Sequence, residues 1–377
     1  MKFIHLSDLH LGKRLNEFSL IDDQRYILNE ILKIIKDEKP DAVMIAGDIY
    51  DKSIPSTEAV ELFDDFVFNL SKLKAQIFII SGNHDSPERL AFGSRLMDKT
   101  GVHMSPVYDG DIKPYTMKDK YGEINIFMLP FIKPIQVKRF FPDEGINSYT
   151  NGVNVAIKQM KIDTSQRNIL IAHQFVTGAK RSESEELSVG GLDNVDSSVF
   201  ADFDYVALGH IHSPQKVSSD KIYYSGTLLK YSFSESSDIK SVAVVEVKDK
   251  NDVAIKTIPL TPLHDMIELK GIYKDLMRKS FYENTSYQSD YVRITLTDEE
   301  DILNALGNLR VVYHNLMELR YDNKRTKSSS NINGAINVEN KSPFDLFSEL
   351  YELQNGSKMT EQQSEFIQNL INDIWER

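Results

Sequence analysis

Five short blocks concentrate side chains that bind cations: Asp8-Leu9-His10, Gly47-Asp48-Ile49-Tyr50-Asp51, Gly82-Asn83-His84-Asp85, His173, and Gly209-His210-Ile211-His212. They offer carboxylates at Asp8 and Asp48, imidazoles at His10, His173, His210 and His212, and a neutral carbonyl at Asn83. A mixed nitrogen and oxygen set without sulfur suits Mn2+, Fe or Zn2+ better than Ca2+. Seven ligands are too many for one transition ion, whereas two ions sharing a bridging carboxylate would use them all. Such a pair, roughly 3.5–4 Å apart, suits in-line displacement at phosphorus, with a water between the ions acidified to hydroxide.

The spacing supports this chemistry. Alternate residues of an extended segment face the same way, so Asp8 and His10 can reach one cluster, as can His210 and His212. Glycine before Asp48, Asn83 and His210 predicts sharp turns and close approach of the backbone to a phosphate. A single Asp-x-His is commonly a surface turn. Here five of the nine histidines fall in blocks that each follow an apolar run. His5, His103, His264 and His314 lie outside the blocks and are expected to be structural.

The elements that must position these blocks are legible as apolar, β-branched runs at residues 3–6, 42–46, 77–80, 124–129, 169–172, 205–208, 222–224, 242–247 and 253–258. Runs of this kind predict strands buried on both faces. Helical spacing appears at Ile27, Leu28, Ile31, Leu32 and Ile35, behind a cap at Asp22 or Asp23. It recurs at Val60, Phe63, Val67 and Leu70 behind Ser56 or Thr57, and Pro87 suits a first turn after Ser86. Strands alternating with helices indicate an α/β layered domain at residues 1–262, its late strands forming a mixed sheet or a two-sheet sandwich. Residues 263–325 read as a small α+β domain, with strands at 291–296 and 315–321 and a helix at 299–306. Residues 326–342 read as a polar linker, and 343–377 as two short amphipathic helices. Residues 140–153 carry no readable pattern.

The net charge of −12 argues against a chain coated in basic residues for nonspecific DNA binding, though a metal cluster and local Lys and Arg residues could still hold a phosphate backbone. There is no cysteine, which excludes thiolate sites and disulfides. No apolar stretch has the length of a membrane span or of a signal-peptide core, so a cytoplasmic protein without membrane attachment is expected.

At these five blocks, over roughly the first 215 residues, the chain resembles the calcineurin-like metallophosphoesterase superfamily. Within it the chain is similar to the SbcD family of nuclease subunits, on three longer stretches. They are His5-Leu6-Ser7-Asp8-Leu9-His10-Leu11-Gly12-Lys13 with Asp22-Asp23-Gln24-Arg25, Gly47-Asp48-Ile49-Tyr50-Asp51-Lys52-Ser53-Ile54-Pro55, and Tyr224-Ser225-Gly226-Thr227 with Ser232-Phe233. The resemblance implies a layered α/β sandwich with a small C-terminal α+β domain and terminal helices. It implies that Asp8, His10 and His212 bind one ion, that Asn83, His173 and His210 bind the other, and that Asp48 bridges, with Mn2+ as the metal. His84 would face the substrate and protonate the leaving oxygen, with the Asp51 carboxylate keeping it charged; some relatives carry histidine in place of that aspartate.

The resemblance further implies 3'–5' exonuclease action on duplex ends and endonuclease action on single strands or hairpins, in DNA repair, recombination and replication. The spacing alone supports only phosphoester hydrolysis, and a small-molecule phosphodiesterase or phosphatase of the same superfamily is the alternative. Lys13, Arg14, Lys52, Arg89 and Arg95, and then Lys180 and Arg181, are candidates for gripping DNA phosphates. The implied partner is an SbcC-like coiled-coil ATPase, docked by the C-terminal helices. A homodimer is implied through the region of Val60, Phe63, Phe66, Val67 and Leu70.

Overall fold

The computed structural model describes residues 1–185, 193–300, 302–324, 326, 342–355 and 358–375. The chain divides into two compact units, Met1–Met266 and Ile267–Arg377. The expected linker at 326–342 lies, apart from its two end residues, outside the described residues.

Among the described residues the first unit is built on two six-stranded sheets. Their strands, in chain order, are β1 (Lys2–Leu6), β2 (Ala42–Ala46), β3 (Gln76–Ile80), β4 (Val102–Met104), β5 (Tyr115–Asp119), β6 (Gly122–Leu129), β7 (Arg167–His173), β8 (Tyr205–Gly209), β9 (Gln215–Val217), β10 (Ser219–Tyr224), β11 (Ser241–Val247) and β12 (Val253–Pro259). One sheet runs β12-β11-β1-β2-β3-β4 and the other β9-β10-β8-β7-β6-β5. The first is parallel across β1-β2-β3-β4, with antiparallel β11 and β12 at one margin, and the second is parallel across β10-β8-β7-β6, with antiparallel β9 and β5 at its two margins.

The sheets stack face to face. Phe3, Met44 and Phe78 of the first meet Ile126, Ile171 and Tyr205 of the second in one buried cluster. The alternate residues Ile4, Leu6, Val43, Ile45, Ile77 and Ile79 are also fully buried, on the opposite face of the first sheet. Helices α1 (Ile21–Glu38) and α2 (Thr57–Ser71) pack together there, and α2 lies against β3. Beyond the second sheet, α3 (Pro134–Phe140) and α4 (Tyr149–Gln159) bury Val137, Val153 and Ile157 against Phe127, Leu170 and Val206. Burial on both faces is why the strands read as continuous apolar runs.

Several expectations change in detail. Helix α1 starts at Ile21 behind Leu20, without a side-chain cap; Asp23 instead bonds the His264 backbone N–H and Nδ1, both at 3.1 Å. Ser56 caps α2 as expected, accepting from Ala59 N–H. Ser86 and Pro87 open a single turn, Pro87–Leu90. The unreadable stretch contains the start of α4, which Ser148 caps; its first residues, Tyr-Thr-Asn-Gly, are poor helix formers. The apolar stripe of α2 faces inward: Phe63, Phe66, Val67 and Leu70 are buried, leaving Val60 exposed.

In the second unit a three-stranded sheet holds β13 (Met266–Gly271), β14 (Tyr291–Leu296) and β15 (Asn315–Tyr321) in that order. Helix α5 (Ala305–Arg310) connects the parallel pair β14 and β15 and buries Leu309 with Val292, Ile294 and Leu316. It begins six residues later than the spacing predicts, because Asn304 just before it takes a left-handed conformation, φ +50°. Helices α6 (Pro343–Asn355) and α7 (Glu361–Trp375) contact each other. Among the described residues no helix is long and apolar enough to cross a membrane.

Candidate metal centre

The five blocks meet where the parallel strands end. Asp8 and His10 follow β1, Asp48 follows β2, Asn83 and His84 follow β3, His173 ends β7, and His210 and His212 follow β8. This is the carboxyl-end crevice where open α/β sheets bind ligands. Among the described residues, ligand atoms of Asp8, His10 and His212 lie within 4.8 Å of one another, as do those of Asp8, Asp48 and His173, and those of His10, Asp48 and His84.

Contacts sort the side chains into two groups with Asp48 between them. His10 Nε2 lies 3.2 Å from His212 Nε2. Asn83 Oδ1 lies 3.0 Å from His173 Nε2 and 2.8 Å from His210 Nδ1. Asp48 Oδ2 is 3.3 Å from His173 Nε2 and 3.7 Å from His10 Nε2.

The backbone is bent to allow this. Asp8, His10, Asp48 and His210 all have positive φ, between +44° and +100°. Such conformations are costly for non-glycine residues and persist only where the surroundings enforce them. Here loops are stitched to loops: Asp8 N–H donates to Gly47 O, His10 N–H to Asp48 O and Leu11 N–H to Ile49 O, at 2.9–3.0 Å. Asp8 accepts from His210 N–H at 3.0 Å and Asp48 from His84 N–H at 2.9 Å. A Cβ at Gly82 would overlap the Asp48 carboxylate, and one at Gly209 the Ala46 carbonyl. Those two glycines therefore make room for neighbouring loops of the chain itself.

The electrostatics fit a cation. Burial pushes the Asp8 carboxyl up, with Asp48 beside it adding to the effect. Burial acts the same way on Asp48, but His173 overrides it and holds Asp48 well below the usual range. Burial would lower His173; the Asp48 carboxylate instead raises it to about 9. Burial, with the His173 charge, depresses His210 to about 3, and burial depresses His10 as well. His173 donates Nδ1–H to Ala46 O at 2.8 Å, so only a second ring proton lets Nε2 bond Asn83 and Asp48. A divalent ion would serve the same oxygens in place of that proton, and His10 Nδ1 is buried with no hydrogen-bond partner.

One expectation needs correcting. His84 Nδ1 bonds the backbone carbonyl of Asp51, at 3.0 Å. The Asp51 carboxylate turns away to Lys13 Nζ at 2.8 Å. Lys13 is thus committed to an ion pair, and so is Arg181, which binds Asp193 at 3.0 Å and stacks on Phe175. Arg14, Lys52, Arg89, Arg95 and Lys180 are not buried. The four histidines outside the blocks are elsewhere: His5 meets Tyr205 Oη at 2.8 Å between the sheets, His103 bonds Asp98 and Gln76, His264 bonds Asp23, and His314 is exposed.

Reading by residue type missed the groups that hold the site together. Asp85 accepts from the N–H groups of Ile49, Tyr50 and Gly82 at 2.9–3.0 Å, pinning the loop after β2 to the loop after β3. Burial, with Asp48 nearby, raises its carboxyl to about 6. Gln24 bonds His10 O at 2.7 Å and Gly12 N–H at 2.9 Å, and Tyr231 donates to Leu9 O at 2.6 Å. Asp85 stood inside a block without a role, and Gln24 lay in one of the family-like stretches, but nothing in the sequence marked Tyr231.

Residues 1–214 match the family described as calcineurin-like phosphoesterase, and residues 262–355 match one described as type 5 capsule protein repressor C-terminal domain. The chain is 32% identical to the SbcD subunit of the SbcCD nuclease from Staphylococcus epidermidis, over 100% of both proteins. It is 33% identical to the protein of the same name from Staphylococcus saprophyticus, over 100% of this chain and 99% of the other. A solved dimetal phosphatase from Danio rerio aligns with 12% identity and a TM-score of 0.41, over 70% of this chain and 98% of that one.

Asp85→Asn preserves shape but puts an amide donor among three N–H donors. It is expected to destabilise the chain by about 1–3 kcal/mol per stranded group and to weaken divalent-ion binding. Urea denaturation and calorimetric Mn2+ titration check this; wild-type values in both would refute the pinning role.

Proposed function

The chain belongs to the calcineurin-like phosphoesterase family, and from that premise we propose that it is the DNA nuclease subunit of an SbcCD-type complex. The observation that carries the reading is the convergence of Asp8, Asp48, Asn83 and four imidazoles in one crevice, with His84 at its rim. Two divalent ions, Mn2+ by preference, would supply Lewis acidity to the phosphate and to the attacking water. Asp8, His10 and His212 would hold one ion and Asn83, His173 and His210 the other, with Asp48 shared.

The chain's own groups do the rest. His84 is anchored through Nδ1–H to the Asp51 carbonyl, with Nε2 4.0 Å from Asp48 Oδ2; as the imidazolium it would give its Nε2 proton to the departing sugar oxygen and keep the Nδ1 proton on the carbonyl. Asp51 thus positions His84 through its backbone, and its carboxylate orders Lys13 beside the site. Arg89, Arg95 and Lys52, all exposed, are the cations proposed to take flanking phosphates. The substrates proposed are duplex ends, degraded 3'–5', and single strands or hairpins, cut internally.

The partner proposed is an SbcC-like coiled-coil ATPase. Phe347 and Leu350 on α6, and Phe366 and Leu370 on α7, are exposed apolar side chains suited to lying in a partner groove. A homodimer would use the exposed apolar surface beside α2, where Val60 and Phe92 line one groove.

His84→Ala is expected to retain both ions while slowing Mn2+-dependent nucleotide release from linear duplex by about 10²–10⁴-fold. Full turnover would remove His84 from the mechanism. A wild type active on small phosphoesters alone would replace the nuclease reading by a small-molecule one. For the interfaces, a chain lacking residues 343–377 should fail to pull down the ATPase, and Phe92→Asp should sediment as a monomer. Retained binding or an unchanged sedimentation coefficient counts against the respective surface.

A further inference from the structure

The dinuclear centre proposed for this crevice needs His212 to offer one ring nitrogen to an ion, and a proton count outside the site determines which. His212 Nε2 faces His10, and His212 Nδ1 lies 2.6 Å from Ser184 Oγ. Ser184 Oγ is in turn 2.5 Å from Glu235 Oε1, and Glu235 Oε2 takes Lys240 Nζ at 2.6 Å. Glu235, Lys240 and His212 are all buried.

An ammonium only donates, an ionised carboxylate only accepts, and a hydroxyl has a single proton. Lys240 keeps Glu235 an anion, so the Ser184 proton is directed at Glu235. Toward His212, Ser184 can then only accept. The His212 proton must therefore sit on Nδ1, with the lone pair on Nε2 inside the site. Ser182 Oγ, 2.7 Å from Ser184 Oγ and 3.3 Å from Glu235 Oε1, can give its own proton to either without changing this outcome. The reverse order, Ser184 donating to His212, would leave two oxygens at 2.5 Å with no proton between them.

The surroundings hold the relay in register. Lys240 Nζ also bonds His212 O at 2.9 Å, and Glu185 Oε1 accepts His212 N–H at 2.7 Å. Glu183 N–H donates to Ser234 Oγ at 3.0 Å, tying the relay's two segments together. On the other side of Asp48, His173 is oriented by a backbone carbonyl, that of Ala46. His212 is thus oriented by a side chain where His173 is oriented by main chain.

We infer that Ser184 and Glu235 are positioning residues that fix His212 as its Nδ1-protonated tautomer and so set the affinity of the Asp8–His10–His212 ion separately from its neighbour. This rests on the dinuclear reading, and the test separates the two. In metal-free wild type, 15N-detected imidazole spectra should show His212 protonated at Nδ1. In Ser184→Ala, Mn2+ titration followed by calorimetry and EPR should show one of two sites weakened about 10–100-fold, with the other unchanged. Ser184→Thr, which keeps the hydroxyl, should restore it. Glu235→Gln, whose amide can donate to Ser184, should shift the proton toward Nε2; if that variant does not fold, Ser184→Ala still decides the matter. An Nε2-protonated His212 in wild type, or equal weakening of both sites, overturns the inference. A wild type that takes up only one ion overturns the dinuclear reading and this inference with it.

Discussion

Putting two carboxylates and four imidazoles into one largely dry crevice is the constraint on which the rest of this structure depends. Ionised groups removed from water must be paired or must surrender their charge. The crevice shows both responses at once: Asp48 stays ionised against a protonated His173, while His10 and His210 are driven to their neutral forms. A cluster tuned this way has donor atoms ready for a cation and few protons left to displace.

The fold is arranged around that demand. Parallel strands end together, so the loops after β1, β2, β3, β7 and β8 share one edge of the sandwich. Bringing their side chains to a point requires left-handed backbone at Asp8, His10, Asp48 and His210, which costs of order 1–3 kcal/mol each in an ordinary context. Asp85, Gln24 and Tyr231 offset this by binding the N–H and C=O groups that such bends expose. The site is held less by its ligands than by a layer of polar side chains whose partners are backbone.

That layer explains what could and could not be read from the sequence. The sandwich was legible because strands buried on both faces must be apolar throughout, as in Ala42–Ala46 and Tyr205–Gly209. The metal-type residues were legible because they follow those runs at once. Of the margin strands only β12 was, and β4, β5 and β9 were not: Tyr115–Asp119 alternates partly buried and exposed residues and resembles a polar loop. Ser184, Glu235 and Lys240 could not be found, since nothing local in the chain marks a hydroxyl that meets a histidine 28 residues away. Asp51 was singled out through the family resemblance, which does not reveal that its carbonyl, and not its carboxylate, would meet His84. The stripe Phe63, Phe66, Val67 and Leu70 was ambiguous for a related reason, because periodicity shows a buried face without saying what buries it.

The central claim is that Asp48 stands between two cations. Anomalous scattering from crystals grown with Mn2+ tests it most directly. The account predicts two peaks roughly 3.5–4 Å apart, both within bonding distance of the Asp48 carboxylate. One peak, or two of which only one touches Asp48, would contradict it.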